Sequence, residues 1–338
     1  MWSPRRLPPW RRTTARRRSG SYRSPSGRQG RVLAIPLAVL AALCNAMTTI
    51  FQRLGIETAS ATAPAAKGRR RNLIQHVLRR PIWYAGLAAM IGSFGLQAVA
   101  LSFAGLSVVQ PLMVTELVFL VVILRVWFRH PLGWSEAGGT VLTVAGLAGF
   151  LARSDAGGGT TLPSTSGWVI VIVAACGAIG ICLACTRFGS RPWRSAWFGA
   201  GAAIAFALSA AFTKTATILF SHHSWQLFEH WQTYGIVVAG LAGLVLTQDA
   251  FQAGPITASQ ATLTIVDPIV SIVIGVGLFD DELRGGIGAL AFDAVALLVM
   301  CAGLFMLTQS PLIGGSVDQE RLGTRREIRE RAKVQEVS

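Results

Sequence analysis

Nine separate stretches of this chain are apolar and long enough to cross the hydrocarbon core of a bilayer, which a helix does in about 20 residues. They cover residues 32–51, 82–103, 107–128, 134–151, 168–186, 196–219, 233–251, 256–279 and 287–308. Inside lipid the backbone has no water to bond to, so each stretch must close its own hydrogen bonds as a helix or join a closed barrel. None alternates apolar and polar residues as barrel strands do, and the sequence therefore predicts an all-α integral membrane protein. Composition agrees, since 52% of the 338 residues are hydrophobic and 14% charged, more apolar side chain than one soluble core can hide.

The formal charge of +15 does not point to nucleic acid, because the basic residues flank the apolar stretches and form no groove. Ten arginines fall in residues 1–31 with Pro, Ser and Gly, and no acidic residue precedes Glu57. Such an arm cannot bury enough apolar surface to order itself, so it is expected to be a disordered, solvated tail or a tether to anionic lipid. The first apolar stretch, followed by Ala-rich residues 58–66, could be the core of a cleaved signal peptide. Its length, and the polar Asn45 and Gln52 within it, favour a retained helix facing a protein interior.

With nine crossings the two termini lie on opposite faces. Lys and Arg concentrate on one of these, with Arg53, Lys67, Arg69, Arg70, Arg71, Arg79 and Arg80 after the first stretch, and Arg129, Arg187, Arg191 and Arg194 after the third and fifth. Six more basic residues follow residue 308. The positive-inside rule makes this face, and the C-terminus, cytoplasmic. The opposite loops hold Arg153 and Arg284, but the Arg-rich arm also falls on that side, a conflict that a later start or a miscounted helix would remove. Trp83, Trp134, Trp168, Trp193, Trp197 and Trp231 fall near stretch ends, where an indole suits the headgroup region. The five cysteines all sit inside apolar stretches as small buried side chains, and Cys182-x-x-Cys185 has no His pair nearby, so neither disulfides nor a metal site is expected.

The two ends of the chain echo each other. Tyr84, Gln97, Ala104-Gly105 and Ala145-Gly146-Leu147 recur in order as Tyr234, Gln248, Ala253-Gly254 and Ala302-Gly303-Leu304, and the first stretch, ending Phe51-Gln52-Arg53, resembles the sixth with Phe212-Thr213-Lys214. Secondary transporters are commonly built from two such halves. The expected organisation is a basic arm (1–31), a first repeat (32–151), a linker with the fifth stretch (152–195), a second repeat (196–308) and a charged cytoplasmic tail (309–338).

Over residues 32–308 the chain resembles the drug/metabolite transporter superfamily, in the helix order of its EamA-like and NIPA-like branches. The segments that carry this are Pro81-Ile82-Trp83-Tyr84-Ala85-Gly86-Leu87 with Met90, then Val109-Gln110-Pro111-Leu112, and Asp280-Asp281-Glu282-Leu283 before the last Gly-rich stretch. The resemblance implies a multi-pass plasma-membrane transporter of a small molecule or ion, without a cofactor. The NIPA-like branch implies magnesium, but where its pattern has Gly-Glu and Asn-Phe this chain has Ser93-Phe94 and Gln97-Ala98, so a carboxylate suited to a hard cation is missing.

An ionisable side chain at bilayer depth is costly and usually faces a cavity or a partner. Glu116 lies near the middle of the third stretch, and Asp267, followed by Pro268, near the middle of its counterpart, the eighth. The expectation is that they hold solute at the midplane and couple its movement to protons, with Pro268 freeing backbone carbonyls. The plainer alternative has neighbouring hydroxyls such as Thr115 and Thr264 satisfying them. Asp249, beside Gln248, and Asp293 are second candidates. Gln97, Gln110, Gln248, Gln252 and Gln260 offer amides either to a polar solute or to neighbouring helices. Arg53 and Lys214 are expected to snorkel to headgroups, with lining of the cavity as the alternative. Gly138, Gly139, Gly146, Gly149, Gly285, Gly286 and Gly288 are assigned to helix packing, and His222 and His223 to a solvated loop.

No G-x-x-x-x-G-K-[ST] or H-E-x-x-H motif occurs, so neither an ATP-hydrolysing subunit nor an intramembrane metalloprotease is indicated and no enzyme is predicted. The resulting expectation is a secondary-active transporter of a small solute across the plasma membrane, embedded in lipid and compatible with a homodimer. A magnesium transporter and a membrane scaffold without transport are the alternatives.

Overall fold

The computed structural model of the chain describes residues 28–62, 81–128, 133–153, 162–222, 229–281 and 287–310. The helices are α1 (Arg28–Thr62), α2 (Pro81–Phe103), α3 (Leu106–Met113), α4 (Thr115–Phe128), α5 (Trp134–Arg153), α6 (Thr165–Cys185), α7 (Arg191–His222), α8 (Trp231–Ala253), α9 (Ile256–Phe279) and α10 (Ile287–Thr308). No strand occurs among the described residues. With α3 and α4 taken as one crossing, Leu106–Trp127, nine segments among the described residues are long and apolar enough to span a membrane. The chain is an all-α, multi-pass membrane protein.

Two helices depart from the expected bounds. α1 begins at Arg28, so the last residues of the basic arm are helical; residues 1–27, with the rest of that arm, lie outside the described residues, as do the loop at 63–80, Arg129, His223, residues 282–286 and the tail beyond 310. The third crossing is interrupted at Val114, which keeps helical dihedrals (φ −60, ψ −23). There the Leu117 amide bonds the Val114 carbonyl three residues back and the Thr115 hydroxyl takes the Leu112 carbonyl, so the helix tightens for a turn.

The bundle is organised by helix pairs that recur in the two halves, α1 with α2 and α7 with α8. α7 is the most enclosed crossing, and Ala202, Ala203, Ala205, Ala207 and Ala211 on it are almost wholly buried. Small residues let neighbouring backbones approach where lipid offers no hydrophobic drive, and α7 accordingly packs on α6, α8 and α9. α1 belongs to the same core, with Ala34, Ala38, Ala41 and Ala46 buried and the Ser93 hydroxyl of α2 donating to the Ala41 carbonyl at 2.8 Å.

The final helices of the halves, α5 and α10, pack on each other. A Cβ on Gly146 would run into the Met300 backbone and lie 2.6 Å from the Ala296 carbonyl, and one on Gly303 would strike the Thr143 amide and lie 2.7 Å from the Gly139 carbonyl. Gly146 and Gly303 occupy matching places in the repeat, so each half supplies one glycine to the crossing. Gly138 and Gly149 make only ordinary contacts and Gly288 faces open space, so among the described members of the expected glycine set Gly139 and Gly146 carry the packing, joined by Gly303, which was not in that set; Gly285 and Gly286 lie outside the described residues.

Candidate functional site

Glu116 sits in the first turn of α4, Asn45 on α1 and Asp267 on α9. The Asn45 side-chain amide donates to Oε2 of Glu116, tying the first helix to the third crossing. Glu116 and Asp267 come close enough for their charges to repel, although they originate in opposite halves of the sequence. Oδ1 of Asp267 is buried and has no hydrogen-bond partner. Thr264 does not supply one, because its hydroxyl bonds the Gln260 carbonyl, and Thr115 is likewise spent on Leu112. Pro268 follows within α9, and lacking an N–H it leaves the Thr264 carbonyl without its helical donor.

A second polar centre lies about four turns further on, just past the end of α9. Asp280 ends the helix in the left-handed region (φ 51), which aspartate tolerates better than most residues, and the Asp281 amide turns back to the Gly275 carbonyl at 3.1 Å. That turn carries the Asp281 carboxylate into the protein. Its Oδ1 accepts from Lys214 Nζ at 2.8 Å, and its Oδ2 accepts from the Ser107 amide at 3.0 Å and the Ser107 hydroxyl at 2.9 Å. Both charged side chains are only 2% exposed. The ammonium also stands 4.3 Å from the centre of the Phe279 ring, a cation–π contact.

Lys214 therefore does not snorkel to headgroups: a partner inside the protein and an aromatic face hold it buried. Beside it, Trp168 stacks on Phe212 with centroids 4.5 Å apart, and Trp231 and Phe279 approach edge-on. Trp168, expected at the membrane interface, is 1% exposed, since stacking on the central helix outweighs the headgroup region for it. Trp134 and Trp193 are exposed as an interfacial indole would be.

Among the remaining candidates, Gln110 is buried in α3, Gln97 and Gln260 are half-buried, and Asp249 is half-buried beside an exposed Gln248 on the outer side of α8. Asp293 is buried on α10. An apolar cleft of about 360 Å³ opens between α7, α9 and α10, lined by Trp193, Ala258, Thr262, Ile265 and Phe305 among others, but it reaches neither Glu116 nor Asp267. Among the described residues no three His, Cys, Asp or Glu side chains cluster as a metal site would need. The structure joins Lys214 to Asp281, residues 67 apart in the chain that the sequence left separate.

The chain is 27% identical over 277 residues to an uncharacterized protein of Corynebacterium glutamicum, a match covering 81% of this chain and 95% of that one. The match takes in nearly the whole bacterial protein and four fifths of this chain. No protein-family model matches the chain, and no solved structure matches it.

Proposed function

We propose that this protein is a secondary-active transporter of a small solute, coupled to protons through Glu116 and Asp267, and that it is a member of the drug/metabolite transporter superfamily. The observation that carries this reading is the buried Asp267 oxygen that has no partner, on a carboxylate that also feels the charge of Glu116 from the other half of the chain. A buried unpaired oxygen costs about 1 to 3 kcal/mol, and two like charges in a low dielectric repel. Binding a proton or a cationic group relieves both, and releasing it restores them. Such a switch can tie solute movement to an ion gradient, and a two-half architecture supplies the alternating access that the cycle requires.

The distribution of Lys and Arg among the loops supports a C-terminus in the cytoplasm, and a plasma-membrane location is part of the same proposal. The same two carboxylates offer hard oxygen ligands, which keeps magnesium as a second cargo to test.

Purified protein in liposomes, under an imposed proton gradient, should move at least one member of a panel of amines, metabolites and magnesium. Glu116→Gln and Asp267→Asn should each reduce that flux about a hundredfold while leaving insertion intact. Flux of magnesium alone would favour the second cargo. Flux that survives both substitutions, or none for any solute, would sink the proton-coupled reading, and the latter would favour a scaffold.

A further inference from the structure

α9 carries a polar stripe that the two centres do not by themselves explain. Asp267, Ser271 and Gly275 are spaced four apart and so share one face of the helix, while Ile269, Val273 and Val276 on other sides of it are exposed. Ser271 is 0% exposed, yet its hydroxyl has no hydrogen-bond partner. Thr262 and Thr264 on the same helix satisfy theirs on the carbonyl four residues back. Ser271 is therefore a second orphaned polar group, one turn beyond the orphaned oxygen of Asp267. One further turn on is Gly275, where a Cβ would stand 2.6 Å from Oδ2 of Asp281, 3.0 Å from the Ser107 amide and 3.3 Å from the Ser107 Cβ. Gly105 meets the same carboxylate from α3's side, its Cβ falling 2.7 Å from Oδ2. The stripe thus leads from the midplane carboxylates to the ion pair and ends there.

We infer that this face of α9 is the solute pathway between the carboxylates and one membrane surface, with Ser271 as a pathway residue, and that Asp281, held by Lys214 and Ser107, is the gate that closes it. The inference rests on the transport reading for its purpose and on the stripe for its geometry. The gate joins the halves, because Lys214 and Asp281 belong to the second and Ser107 to the first. Two glycines remove every side chain that would keep the carboxylate from its seat. On opening, the Asp281 carboxylate leaves the Ser107 donors, α3 separates from the end of α9, and the Ser271 hydroxyl meets water.

The test is thiol labelling of the full chain with its five native cysteines replaced and Ser271→Cys added, using a membrane-impermeant maleimide on vesicles of each orientation. In this protein Ser271→Cys should resist labelling from the Asp281 face. Adding Lys214→Met with Asp281→Asn removes the pair without leaving a lone buried charge, and should speed labelling from that face about tenfold or more, as the open fraction rises. Gly275→Ala, which crowds the carboxylate while keeping both charges, should give a smaller increase in the same direction. An unchanged rate in both variants, each recovered folded and monodisperse, overturns the gate; so does labelling from the opposite face alone. Flux lost in Asp267→Asn with labelling unchanged would leave the transport reading standing and the gate refuted. Labelling that responds in a protein without flux supports the seal and counts against transport.

Discussion

The two aspartates that α9 presents to the interior, Asp267 near its middle and Asp281 just past its end, differ in how they are satisfied. Asp281 has three donors to its two oxygens, one of them the Lys214 ammonium 2.8 Å away. Asp267 has a buried oxygen with nothing to bond and feels the charge of a second carboxylate, Glu116. A buried charge that is fully paired contributes to a particular arrangement of helices, whereas one kept short of partners is kept for something that comes and goes.

The strongest way to break this comparison is to truncate the satisfied member. Asp281→Ala should leave the Lys214 ammonium buried and unpaired and lower stability by about 3 to 5 kcal/mol, read as reversible unfolding in detergent. A loss similar to that of an exposed residue would show that the pair is not structural. The converse substitution, Asp267→Asn, should shift stability by less than about 1 kcal/mol while reducing proton-driven flux about a hundredfold, the scale of a lost proton-transfer group. If it unfolds the protein instead, the two aspartates play the same part.

Gly275→Ala places a methyl against the Asp281 carboxylate and should cost about 1 to 3 kcal/mol, as overpacking does. Ser107→Ala keeps the amide donor and removes the hydroxyl, for about 1 kcal/mol; a double-mutant cycle with Asp281→Asn should show the two effects to be non-additive. Smallest and of opposite sign, Asp280→Gly should stabilise by about 0.5 to 1 kcal/mol, because glycine enters the left-handed region without penalty. These neighbouring aspartates would then respond in opposite directions, one exposed in a turn and one buried in a pair.

The crossings were legible because hydropathy over about twenty residues is a local property that lipid enforces. Gly139 and Gly146 were legible as packing glycines, but the crossing of α5 with α10 was not: Ala302-Gly303-Leu304 reads only as an echo of Ala145-Gly146-Leu147, and a repeat does not say which helices touch. Lys214 was misread because a lysine five residues short of the end of an apolar stretch looks the same whether it reaches water or a carboxylate; its partner lies 67 residues on. Trp168 failed for a similar reason: interface position is set by depth, but exposure depends on which side of α6 faces α7. Ser271 carries no mark in the sequence beyond its spacing of four from Asp267, since serine on a transmembrane helix usually bonds its own backbone. The interruption at Val114 had a nearby signal in Pro111, but the tightening happens three residues later, where no proline or glycine stands.

The glycine seam between α5 and α10 has a consequence for how the protein is made. Met300 lies 154 residues beyond Gly146, and at roughly 5 to 20 residues per second a ribosome takes on the order of ten to thirty seconds to cover that distance. For that interval α5 is in the bilayer with its glycine face and the Thr143 amide turned to lipid or to a temporary companion. The first half cannot reach its final packing until the last helix arrives, so quality control has a long window in which to meet an unfinished bundle. Chains truncated before α10 should consequently be degraded faster than chains truncated within the tail, a difference that a pulse-chase would read directly.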